Sequence, residues 1–184
     1  MPLPPPAPRD ELHLRRIEIR GYHRKDGLYD LEARITDTKN NELELSEKSV
    51  PAGMPIHDMW LRLTVDEQLT VHDAVAATDA SPFTICPQAA GAITALKGLR
   101  IGPGWTRASK ERLARADNCT HLVELLGQLA TTGFQTLAPL RNSQPDRFDR
   151  EGRPVKMDSC FAYASKREVA AKRWPQFYDG PVVK

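Results

Sequence analysis

The segment running from Asp26-Gly27 through Tyr29, Leu31, Ala33 and Ile35, with Asp30, Glu32 and Arg34 interleaved, constrains this chain more than any other feature. Strict alternation sends successive side chains to opposite faces of a strand, so one face is apolar and the other wet. Asp-Gly just upstream suits a tight hairpin turn, because glycine adopts positive φ at little cost. A first strand is therefore expected over Leu12–Ile19, with Arg15-Arg16 breaking its alternation at a bulge, and a second over Leu28–Asp37. Met59, Leu61, Leu63 and Val65 then alternate with Trp60, Arg62 and Thr64. Asp66-Glu67-Gln68 turns the chain, and Leu69, Val71 and Asp73 begin a partner strand. Between these two hairpins, residues 39–55 read as a polar loop around one short strand.

After Pro82 the pattern becomes helical. Cys86 to Leu96 is Ala-rich, with Pro87 suited to a first turn, and the glycines and proline of residues 98–104 stop it. Thr106 to Ala116 is short, basic and amphipathic. Cys119 to Leu137 is the longest helical run: Leu122, Leu125, Leu126, Leu129, Gly133, Phe134 and Leu137 recur at helical spacing. Strands first and helices after predict an α+β fold, an antiparallel sheet of two N-terminal hairpins packed against three helices of the C-terminal half. The expected organisation is a Pro-rich tail over 1–9, one domain over 10–140, and a charged extension over 141–184. That extension carries one short helix, opened by the capping-box pattern Ser165 to Glu168 and ended by Pro175.

Charge excludes some functions. In 184 residues, 26 basic side chains face 24 acidic ones, a formal net charge of +2, which provides no strong field for drawing in nucleic acid or an anionic membrane. No apolar run approaches the roughly 20 residues of a membrane span. The Pro-rich start lacks the apolar segment of a signal peptide, so a cytoplasmic location is expected. Cys86, Cys119 and Cys160 are too few and scattered for a disulfide framework and read as reduced thiols.

Three places could carry chemistry. At the start of the long helix, Cys119 would have its thiol acidified by free backbone N–H groups, as a nucleophile or a metal ligand. His121 and Glu124, three residues apart, share a face as a base and its carboxylate would. That face continues uncharged through Gln128, Thr131, Thr132 and Gln135, which suggests a pocket or a subunit interface and allows a homodimer. The competing structural reading is that Asn118 caps the helix, Cys119 packs in the core and His121 satisfies a carbonyl. Cys86, with His57 or Cys160, could complete a metal site with Cys119 and His121, although no Cys-x-x-Cys pair marks one. The second place is Gly102-Pro103-Gly104-Trp105, an anion-binding loop or a tight turn anchored by Trp105. The third is the first hairpin, which holds His13, Arg15, Arg20, Tyr22 and Asp26, with Asp37 on the next strand. His13 and Arg15 share a side there, and an Arg could fork onto a carboxylate or phenolate while His or Asp moves a proton. A solvated, charged edge strand is the alternative.

Several segments together resemble the bacterial domain-of-unknown-function family 2889. They are His13-Leu14-Arg15-Arg16-Ile17, Arg20-Gly21-Tyr22, Asp26-Gly27-Leu28, Ile56-His57-Asp58-Met59, Gly98 to Trp105, and Cys119-Thr120-His121-Leu122. The similarity runs from about Pro2 to Arg141 and implies no activity and no catalytic residue. A partial similarity to iron–sulfur scaffold proteins, strands and then a Cys at a helix start, lacks their Asp and Gly-rich context.

The function expected from the residues is a small catabolic enzyme, an acid–base lyase or hydrolase for a small aromatic or carboxylate substrate, without an organic cofactor. His121, Glu124, Cys119, His13, Arg15 and Tyr22 are the candidate catalytic groups, and Arg20, Trp60, Gly104, Trp105 and Gln128 the candidate substrate contacts. The alternatives are a protein handling zinc or an iron–sulfur cluster through Cys86, Cys119 and His121, and a non-catalytic oligomeric interaction domain.

Overall fold

The computed structural model describes residues 3–113 and 115–181, with only the backbone of Arg115. The first two residues of the Pro-rich tail and position 114 of the expected Thr106–Ala116 helix lie outside the described residues. The chain divides into two compact units, Met1–Leu137 and Ala138–Lys184.

In the first unit, β1 (His13–His23), β2 (Tyr29–Lys39), β5 (Pro55–Val65) and β6 (Val71–Ala80) form one antiparallel sheet in the order β1-β2-β5-β6. Both expected hairpins are present, and β2 pairs with β5 to join them. The Asp26-Gly27 turn closes with Arg24 N donating to Leu28 O at 2.8 Å, and Gly27 has φ +85°. Three local expectations are corrected. The register of β1 on β2 is unbroken from His13 to His23, so Arg15-Arg16 form no bulge; the irregularity falls between Asp37 and Thr38, against β5. The segment between the hairpins holds two short strands rather than one, β3 (Leu43–Glu44) paired with β4 (Ser49–Val50). Leu69 lies in the turn with φ +64° and its side chain fully buried, so β6 begins at Val71. The Asp66 carboxylate holds this turn by accepting from the N–H groups of Gln68 and Thr70.

One face of the sheet is covered. Leu31, Ala33, Ile35, Met59, Leu61, Leu63, Val71 and Ala74 enter a core with Ile93 and Leu96 of a 3₁₀ segment (Cys86–Leu96), Trp105 of α1 (Trp105–Arg112), and Leu122, Leu125, Leu126 and Leu129 of α2 (Thr120–Thr136). Phe134 is half-buried at the edge of this core, because the C-terminal turn of α2 runs towards the sheet margin. There α2 approaches β1 so closely that a Cβ on Gly21 would lie 1.9 Å from Thr136 Oγ1. Glycine at position 21 leaves room for the Thr136 side chain where it stands.

The second unit is small. Met157, Ala170 and Trp174 form its core, supported by Tyr163, Phe177 and Tyr178, and include a residue of α4 (Glu168–Arg173), which follows α3 (Ala138–Asn142). Asp146 accepts from Arg173 and from Trp174 Nε1. Arg167, not Ser165, occupies the N-cap of α4; the Ser165 N–H donates instead to Asp158.

Candidate functional site

The period of two explains how the site is assembled. On β1, Arg15 precedes Ile17 and Ile19; on β2, Asp37 follows Leu31, Ala33 and Ile35; on β5, His57 precedes Met59, Leu61 and Leu63. Extending each apolar series by one step towards the same end of the sheet lands on a charged or titratable side chain. The ladder aligns them, with Arg15 opposite Asp37 and Asp37 opposite His57. All three therefore stand on the covered face, in one row, where the apolar core stops. The N-terminus of α2 crosses above and brings Cys119, His121 and Glu124.

Asp37 is the centre. It is 1 % exposed and accepts four hydrogen bonds. Arg15 forks onto it, Nε to Oδ1 at 2.8 Å and Nη2 to Oδ2 at 2.9 Å. His13 Nε2 meets Oδ1 at 3.0 Å and His57 Nδ1 meets Oδ2 at 3.0 Å. Burial opposes the charge on Asp37, but the Arg15 hydrogen bonds and the nearby Arg15, His57 and His13 outweigh it and hold the carboxyl below its usual range. An ionised carboxylate only accepts, so both histidines donate to it, which leaves the Nε2 lone pair of His57 free of that bond. Burial, then the neighbouring His121, lower the His57 pKa from its ordinary value, and Asp37 offsets this only in part. His57 is thus oriented by Asp37 and biased towards its neutral form.

His121 stacks against it, ring centroids 3.9 Å apart and planes tilted by 38°. Cys119 Sγ lies 3.7 Å from His121 Nδ1 and 3.7 Å from Met59 Sδ. The Glu124 carboxylate, on the exposed rim, accepts from Arg15 Nη1 at 3.1 Å. One donor atom from each of Asp37, His57 and His121 lies within 4.8 Å of the others, the one such group among the described residues.

The expected site residues therefore separate. His13, Arg15, Cys119, His121 and Glu124 are brought together, and Asp37 and His57 join them. Arg20, Tyr22 and Trp60 stand on the opposite, open face of the sheet, lining a shallow cavity with Glu18, Glu32, Ala33 and Arg34. Trp60 is held there by Nε1 donating to Asp79 Oδ2 at 2.9 Å and by Arg34 stacked 4.6 Å over its ring. Gly104, at φ +86°, is the N-cap of α1, and Trp105 behind it is buried with Nε1 donating to Leu126 O at 3.1 Å. This turn anchors α1 on α2. Cys86 begins the 3₁₀ segment, half-buried and outside the Asp37–His57–His121 group. Cys119, not Asn118, is the N-cap of α2, with extended backbone and no side-chain capping bond. Gln128, Thr131 and Gln135 are exposed, so the uncharged stripe is an open surface of this chain rather than a pocket wall. The Thr131 hydroxyl satisfies itself on Gln128 O.

Among the described residues, no helix is long and apolar enough to cross a membrane. No curated protein and no solved structure matches the chain significantly. Residues 13–135, which contain the whole sheet, the cluster and all but the last residue of α2, match the family described as protein of unknown function (DUF2889), and the chain belongs to that family.

Proposed function

We propose that this domain is a small acid–base enzyme of the lyase or hydrolase type, with Asp37, His57 and His121 as its proton-handling centre. The observation that carries this is the hydrogen bond from His57 Nδ1 to a buried, ionised Asp37, which fixes the tautomer and leaves the Nε2 lone pair out of that bond. A base must be deprotonated to act, and burial beside His121 keeps His57 so at neutral pH. Arg15 maintains the charge on Asp37, because a protonated carboxyl could donate a proton back and release the ring. His121, stacked on the His57 ring with the Cys119 thiol beside it, is assigned the second proton-handling role. The reading assigns it a small aromatic or carboxylate substrate and no organic cofactor.

A panel of small aromatic acids, hydroxy acids and esters, followed by chromatography of products, tests this. A substrate should be found for which His57→Gln lowers kcat by about 10²–10⁴-fold while Tm stays within a few degrees. His121→Ala should likewise abolish turnover of that substrate with the fold intact. Turnover that survives both substitutions would remove the cluster from the chemistry.

A further inference from the structure

Two imidazoles in ring contact beside a buried carboxylate accommodate protons poorly, because a charge on one ring disfavours a charge on the other. A single divalent ion meets all three groups at once. We infer that Asp37, His57 and His121 form a binding site for one first-row divalent transition ion of the Zn²⁺ or Fe²⁺ class. The inference concerns the same cluster as the proposed acid–base activity, which belongs to the ion-free protein, and it stands on ion binding alone.

Two histidines and one carboxylate are a recurring set for such ions, whereas Ca²⁺ and Mg²⁺ prefer oxygen shells. Ligand atoms about 2.0–2.2 Å from an ion stand about 3–4 Å apart. The Asp37 Oδ2 to His57 Nδ1 separation of 3.0 Å is already of this size, and the whole set lies within 4.8 Å. The ion takes the place of the hydrogen between Oδ2 and Nδ1, and the imidazole keeps its one proton on Nε2 instead, so its ring stays neutral. Arg15 and His13 remain on Asp37 and hold it as an outer shell does. Charge favours the ion: Asp37 and Glu124 present two carboxylates to the single Arg15 guanidinium. The remaining coordination positions are open to water.

The test uses the full chain stripped with chelator and titrated with Zn²⁺ by calorimetry and with Co²⁺ by absorption. One equivalent should bind at each titration. His57→Gln and His121→Gln should each weaken it at least about tenfold. His72→Gln, which removes the histidine paired with Asp66 rather than Asp37, should leave the affinity unchanged. Because a variant could lose its fold, the wild-type chain provides a second readout: Co²⁺ should broaden the ring NMR signals of His57 and His121 and spare those of His72 and His23. Absence of stoichiometric binding, equal affinity in the three variants, or broadening centred on other histidines would each overturn the inference. Those failures leave the acid–base proposal standing, since turnover is read separately. Conversely, turnover unaffected by His57→Gln would sink that proposal without altering the ion titration.

Discussion

At the scale of single residues, the site depends on one buried charge. Asp37 has four donors and almost no exposure, so its removal leaves Arg15, His13 and His57 without their common acceptor. Asp37→Asn should destabilise by about 3–5 kcal/mol, the range for breaking a buried ion pair, read by chemical denaturation. The pH dependence follows in the ion-free protein. Asp37 has a folded pKa below its unfolded one, so its stabilisation is present above about pH 4 and is lost as pH falls through the folded value. His57 is also depressed, and the unfolded chain binds its proton first. Its contribution is therefore complete above about pH 6.5 and declines as pH falls below that. Stability should thus decrease on acidification in two stages, and His57→Gln should remove the upper one. A stability curve flat from pH 7 to pH 5 would contradict this.

At the scale of elements, the sheet was legible in the sequence and its neighbours partly so. Alternation in Tyr29–Ile35 and Met59–Val65 identifies two strands and their buried faces, because a period of two leaves little freedom once one face is apolar. The same period carried one step further marks Arg15, Asp37 and His57 as interruptions of buried series. What alternation does not contain is the pairing of β2 with β5, a long-range choice made by the hairpins packing together under α2. Without that pairing Asp37 and His57 have no reason to meet, and His57 reads only as a scattered ligand. Arg20 and Tyr22 show the converse: near Arg15 in sequence, they are separated from it by the thickness of the sheet. The helix α2 depends on its buried leucines, and Leu129→Ala should cost about 2–5 kcal/mol by denaturant unfolding. Gly21→Ala places a methyl against Thr136 and should cost about 1–3 kcal/mol, recovered in part by adding Thr136→Ala. Additive losses in that pair would show that the close approach of β1 and α2 does not set the cost.

At the scale of the whole molecule, the family match and the site coincide. Residues 13–135 include each member of the cluster, whereas the unit beginning at Ala138 has its own small core around Trp174. The first unit thus contains the complete proposed centre: a sheet whose apolar face ends in a row of titratable groups, closed by one helix N-terminus. The central claim is that His57 is a neutral imidazole tied through Nδ1 to an ionised Asp37. Long-range ¹H–¹⁵N NMR of the histidine rings, followed from pH 8 to pH 4 in chelator-treated protein, measures it directly. His57 should show the Nδ1–H tautomer at pH 7 and titrate below 6.5, with its Nδ1 shift perturbed in Asp37→Asn. A His57 ring carrying its proton on Nε2, or titrating at or above 6.5, would contradict the account.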